Sequence, residues 1–201
     1  MYLLRSRRLL YGLITTLLMA CAGTNGEQST AFYDLDSLID VQVAYLSKMQ
    51  PALQKEAEID GKLEVIRLTR SDSAGWAREL EIFRQLDLNA KKLNATRYEI
   101  RSGLHDNTSN LNILEYRTKE ADALPLSMVR IYYQEKPENI RKIEGTFNES
   151  NGLYSSSRYW SMELIDIRDT IVLTNYAVTG SQKMIFGDSV KFKIRGTLSY
   201  E

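Results

Sequence analysis

The sequence predicts an α+β fold in which two N-terminal amphipathic helices pack on a twisted antiparallel β-meander, curved in the manner of a half-barrel. Three observations carry this expectation. Apolar residues recur with a helical period early in the chain, the period changes to two from Arg97 onward, and short turn-like segments separate the alternating runs. A hydrophobic content of 43% with 26% charged residues fits a single globular domain over residues 31–201, and only three prolines rule out a long proline-rich linker.

From Phe32 to Met49, Leu35, Leu38, Ile39, Val43, Leu46 and Met49 form one apolar stripe, which marks the first helix. Pro51 ends it, because proline disfavours helical backbone in the preceding Gln50. Residues Leu53–Ile59 and Lys62–Leu68 flank Asp60-Gly61, a pair suited to a two-residue hairpin turn in which both positions need positive φ. A second helix is expected from a cap at Asp72 or Ser73 to about Leu86, with Trp76, Leu80, Ile82, Phe83 and Leu86 on its apolar face.

Beyond Arg97, Tyr98 and Ile100 alternate with charged residues, as do Val129, Ile131 and Tyr133, then Ile143, Gly145 and Phe147. Trp160, Met162 and Leu164 continue the pattern, and the last strand places Val190, Phe192, Ile194, Gly196, Leu198 and Tyr200 on one face. Such alternation predicts a sheet of about seven to nine antiparallel strands with one apolar and one wet face.

The first twenty residues read differently. Arg5, Arg7 and Arg8 precede an apolar run from Leu9 to Ala20, which is too short for the ~20 residues of a membrane-spanning helix and suits a cleavable export signal. Leu18-Met19-Ala20-Cys21, followed by Ala22-Gly23, resembles the lipobox of bacterial lipoproteins. The resemblance implies cleavage before Cys21 and attachment of lipid to its thiol. It also accounts for a single cysteine in an exported chain, where neither a disulfide framework nor a multi-cysteine metal site can form. Residues 1–20 are thus read as signal peptide and 21–30 as lipidated cysteine and flexible tether. Ala22, rather than an acid, points to the outer membrane of a Gram-negative cell by resemblance to lipoprotein sorting there. Removing the three arginines lowers the 26 cations to 23 against 26 anions, and this mildly acidic balance argues against nucleic acid as a partner.

Size, anchor, leading helix and meander together loosely resemble the half-barrel of the lipoprotein-carrier family and its outer-membrane lipoprotein receptor. That resemblance implies a curved sheet able to hold acyl chains. Two helices side by side, each ~10–12 Å wide, cover about four or five strands spaced ~4.8 Å apart. Trp160, Met162, Val190, Phe192 and Ile194 are therefore left either to close into a core as the sheet curls or to line a cavity for an apolar ligand, and a closed core is expected.

Catalytic signals are thin. His105 is the only histidine and sits in turn-like composition, Ser102 to Ser109, with no motif placing a nucleophile beside it. Asp34, Asp36 and Asp40 suit the positive end of the first helix dipole and lack the glycine and ligand spacing of a calcium loop. Glu163, Asp166 and Asp169 offer carboxylate pairs of the kind glycosidases use, as any acidic domain does. Of Tyr132, Tyr133, Tyr154, Tyr159 and Trp160, one of each adjacent pair is expected to face outward. No catalytic residue, metal ligand or cofactor is assigned. The expected role is non-catalytic binding or assembly in the cell envelope, with an acyl-chain carrier and a hydrolase as alternatives.

Overall fold

Asp34 opens the first helix, α1 (Leu35–Met49), by accepting a hydrogen bond from the Ser37 N–H at 2.9 Å. Gln50 closes it in the left-handed region, its N–H bonded to the Leu46 carbonyl, so Pro51 begins a new direction. This computed structural model describes residues 32–68, 71–89, 96–119 and 124–200. Residues 1–20, read from the sequence as signal peptide, and 21–30, read as lipidated cysteine and tether, lie outside the described residues.

The hairpin follows, with β1 (Ala52–Ile59) and β2 (Lys62–Leu68) joined by Asp60 at φ 47° and Gly61 at φ 81°, the backbone that the Asp-Gly pair requires. The second helix, α2 (Ser73–Leu80), is capped by Asp72, which accepts from the Gly75 N–H at 2.7 Å. It is shorter than expected. From Glu81 to Leu86 the chain tightens to a 3-10 helix, whose three-residue period aligns Leu80, Phe83 and Leu86 on one buried line.

Among the described residues seven further strands follow: β3 (Tyr98–His105), β4 (Asn112–Thr118), β5 (Leu126–Tyr133), β6 (Ile140–Ser150), β7 (Tyr154–Ile167), β8 (Thr170–Met184) and β9 (Ser189–Ser199). All nine form one antiparallel sheet in the order β2-β1-β9-β8-β7-β6-β5-β4-β3. Two features correct the expected architecture. The helices are not an N-terminal pair, because the β1–β2 hairpin between them joins the sheet beside the C-terminal β9. The sheet is also not closed, and β2 and β3 are its free edges.

One face of the sheet carries the core, where Leu35, Ile39, Val43 and Leu46 of α1, Trp76 and Leu80 of α2, and Phe83 and Leu86 meet Val129, Ile131, Ile143, Trp160, Met162, Tyr176 and Val178. Two glycines set how closely these layers approach. A Cβ on Gly145 would overlap the Leu86 side chain, and one on Gly196 would overlap the Tyr176 ring. Tyr176 lies across Gly196 and donates from its hydroxyl to Glu79 of α2, which also pairs with Lys55 of β1 at 2.7 Å.

Candidate functional site

The five residues expected either to close a core or to line a cavity divide along the sheet. Trp160 and Met162 are fully buried in the layer under the helices. Phe192 and Ile194 are half-buried against its rim, and Val190 is exposed. They share one face, as the alternation predicted, but the helices cover only the part of it nearer the start of β8 and the end of β9. In the covered layer the indole N–H groups of Trp76 and Trp160 have no hydrogen-bond partner among the described residues.

At the other end the strands run past the helices and meet in turns of unusual chemistry. The β8–β9 connection contains Ile185 and Phe186, 60% and 89% exposed, and the β6–β7 connection contains Leu153, 66% exposed. Turns usually consist of Gly, Asn, Asp, Pro and Ser. These two are joined, because the Ile185 N–H donates to the Leu153 carbonyl at 2.8 Å. Asn151 holds its own turn by accepting from the N–H groups of Leu153 and Tyr154 at 2.8 and 3.0 Å. The β1–β2 turn is tied to the same end, since Lys191 donates its N–H to Asp60 Oδ1 at 2.8 Å while its carbonyl accepts from the Asp60 N–H at 3.0 Å. Met184 and Val190, both about half exposed, widen the apolar cap. A cleft of about 360 Å³, lined by Ser150, Asn151, Ser155 and Lys183 among others, lies between the two turns.

The β2 edge is a second uncovered surface. Every residue of this strand is exposed, including Leu63, Val65, Ile66 and Leu68, and the alternation puts apolar groups on both of its faces.

The opposite face of the sheet is less wet than expected. Arg101, Glu115, Arg130 and Glu144 are register partners across β3, β4, β5 and β6, so opposite charges alternate along one row. Glu115 is buried and bonds Arg117 at 3.0 Å and Arg130 at 2.7 Å. Burial pushes its pKa up, but the hydrogen bonds from Arg117 and Arg130 outweigh burial and hold it below the usual range. Glu144 is likewise buried and likewise lowered, because Lys142, Tyr159 and Tyr132 together overcome the burial penalty. A carboxylate with a depressed folded pKa contributes stability above its unfolded pKa of about 4.3, and that contribution is lost as pH falls through the folded value. The melting temperature should therefore fall as pH drops below about 4.5, and less steeply in Glu115→Gln. An equal acid loss in that variant would remove Glu115 as a source of it.

Other sequence candidates resolve into structural roles. Of the Tyr132–Tyr133 pair, Tyr132 is the one that faces outward, and it is covered there by its neighbours. Its hydroxyl donates to Glu144 at 2.7 Å and Lys142 lies over its ring. Tyr133 is buried as well, and Tyr159 is partly exposed. His105 is the exposed last residue of β3 rather than part of a loop. Asp36 and Asp40 hold Arg84, the latter at 2.6 Å. Glu163 accepts from Asn175, and Asp166 lies 3.8 Å from Arg141. Among the described residues no cluster of His, Cys, Asp and Glu is arranged to hold a metal ion, and no helix is long and apolar enough to cross a membrane.

Comparison with protein-family models, curated proteins and solved structures finds no match.

Proposed function

We propose that the chain is a lipid-anchored, non-catalytic binding protein of the bacterial cell envelope, tethered through Cys21 and engaging an envelope protein along the free β2 edge. The observation that carries the binding role is that edge. A free strand presents unpaired backbone N–H and C=O groups that accept another strand. In β2 Lys62, Glu64 and Arg67 alternate with Leu63, Val65, Ile66 and Leu68, so a partner strand gains backbone hydrogen bonds and apolar contacts on either face. The anchor rests on Leu18-Met19-Ala20-Cys21 and on the polar stretch before Phe32. A carrier of acyl chains would need room on the apolar face, where Trp76, Phe83 and Leu86 sit instead.

Two measurements test the reading. Mass spectrometry of the protein from membranes should find an acylated Cys21 at the mature N-terminus, with Cys21→Ser unprocessed or released, and an unmodified thiol would end the anchor. Replacing Val65 and Leu63 together with lysine should leave the melting temperature within a few degrees of the parent, because both side chains are exposed. The same variant should fail to complement a deletion strain, and full complementation would remove the β2 edge as the binding surface.

A further inference from the structure

We infer that the apolar tip formed by Leu153, Met184, Ile185 and Phe186 inserts into the surface of the lipid bilayer, setting the domain end-on against the membrane. The inference rests on the anchored reading only for orientation; the tip geometry stands apart from it.

The tip is a projection rather than a groove. Phe186 is the most exposed large hydrophobic residue of the described chain, and Ile185 and Leu153 flank it from two turns held together by a backbone hydrogen bond. A protein partner finds its strongest contacts where side chains fill well-packed pockets. A protruding cap of Phe, Ile, Leu and Met with polar groups just behind it instead matches the gradient of a bilayer interface, where apolar side chains reach the acyl boundary and polar ones meet headgroups. Ser150, Asn151, Ser155 and Lys183 lie in that second position. Lys62, Lys183 and Lys191 at this end are balanced by Asp60, Asp188 and Glu149, so attachment should be driven by apolar burial and depend little on anionic lipid.

The course of the chain agrees. Phe32, where the described chain begins, packs edge-on against Tyr98 and Tyr116 at 5.9 and 5.3 Å. Tyr98 is the first residue of β3 and donates its hydroxyl to Leu126, the first residue of β5, at 2.6 Å. In this antiparallel sheet those strand starts lie at the same end as the turns following β6 and β8. The tether of about ten residues spans at most ~35 Å and leaves the fold at the level of Gly180, four residues from Met184 and ten from Thr170, so it reaches the plane of the tip with length to spare.

The test uses the full chain carrying Cys21→Ser, mixed with vesicles of phosphatidylcholine containing brominated acyl chains. Native Trp76 and Trp160 are buried and supply a constant background. Phe186→Trp should show a blue shift and quenching by the bromines, whereas Met49→Trp, at the exposed end of α1 on the opposite side, should show neither. A Phe186→Asp substitution should reduce vesicle partitioning of the domain by about tenfold or more, since burying a phenyl ring is the main gain it removes. Equal quenching at both tryptophans would show that the signal segment alone brings the protein to the vesicle, and an unquenched Trp at position 186 would show that the tip stays in water. Either outcome overturns the inference without touching the acylation result for Cys21.

Discussion

Replacing Phe83 with alanine should lower the stability of the domain by ~3–5 kcal/mol, the upper range for loss of a buried aromatic ring. The side chain is 1% exposed and meets Tyr176 edge-on at 5.7 Å. How much such a substitution costs depends on whether neighbours can collapse into the space. Here they are fixed from below: Leu86 is seated over Gly145, and Tyr176 is seated over Gly196 with its hydroxyl on Glu79. The ring of Tyr176 cannot drop toward the sheet, and moving it sideways breaks its bond to Glu79. The cavity should therefore persist. At ~2–4 °C per kcal/mol for a domain of this size, the melting temperature should fall by roughly 6–20 °C, and Phe83→Leu should recover more than half of that. A loss under ~1 kcal/mol in urea unfolding would mean that the 3-10 segment repacks, and that its three-residue register does not fix the core.

The same residue shows what could and could not be read in the sequence. Phe83 belonged to the predicted apolar stripe, since Trp76, Leu80 and Phe83 satisfy a helical period closely enough that the change to 3-10 geometry after Leu80 leaves no mark. The hairpin at Asp60-Gly61 was legible because two positive φ angles are a demand on those two residues alone. Adjacency of β1 to β9 was not, because strands more than a hundred residues apart share no local signal. The alternation in β9 correctly assigned Val190, Phe192 and Ile194 to one face but carried no information on how far α1 and α2 reach across it. Burial of Glu115, Glu144 and Tyr132 on the outer face was missed for a related reason: each looks solvated until Arg117 and Arg130 close over Glu115, and Lys142 over Glu144 and Tyr132. The tip did have a signal. Met184-Ile185-Phe186 runs apolar straight into Gly187-Asp188, and a turn built from such residues is out of place unless something covers it.

Gln42 is the clearest case of a polar residue whose role only the fold reveals, and replacing it with leucine should cost roughly 2–6 kcal/mol. It sits in the buried stripe of α1 with no exposed surface, where the apolar period would accept leucine without complaint. Near its start β8 passes beyond the reach of β9, whose pairing with it stops at Asn175 and Thr197. The backbone groups of β8 on that side would be left dry and unbonded. Gln42 Nε2 donates to the Ile171 carbonyl at 2.9 Å, and its Oε1 accepts from the Leu173 N–H at 2.8 Å, so one amide takes the place of the missing strand. Tyr200 serves the next group, donating its hydroxyl to the Leu173 carbonyl. Leucine fills the volume but orphans two backbone groups at ~1–3 kcal/mol each. Glutamate separates that cost from shape. Its carboxylate still accepts from Leu173 but faces the Ile171 carbonyl with no proton to donate, so burial and repulsion raise its folded pKa above the unfolded value near 4.3. Stability linked to a raised pKa is present below the unfolded value and lost as pH rises through the folded one. The deficit of Gln42→Glu relative to the parent should thus be small near pH 4 and grow toward neutrality, while that of Gln42→Leu should not change with pH. Parallel pH dependence in the two variants would mean that the amide is held by packing alone and that the start of β8 satisfies its backbone in some other way.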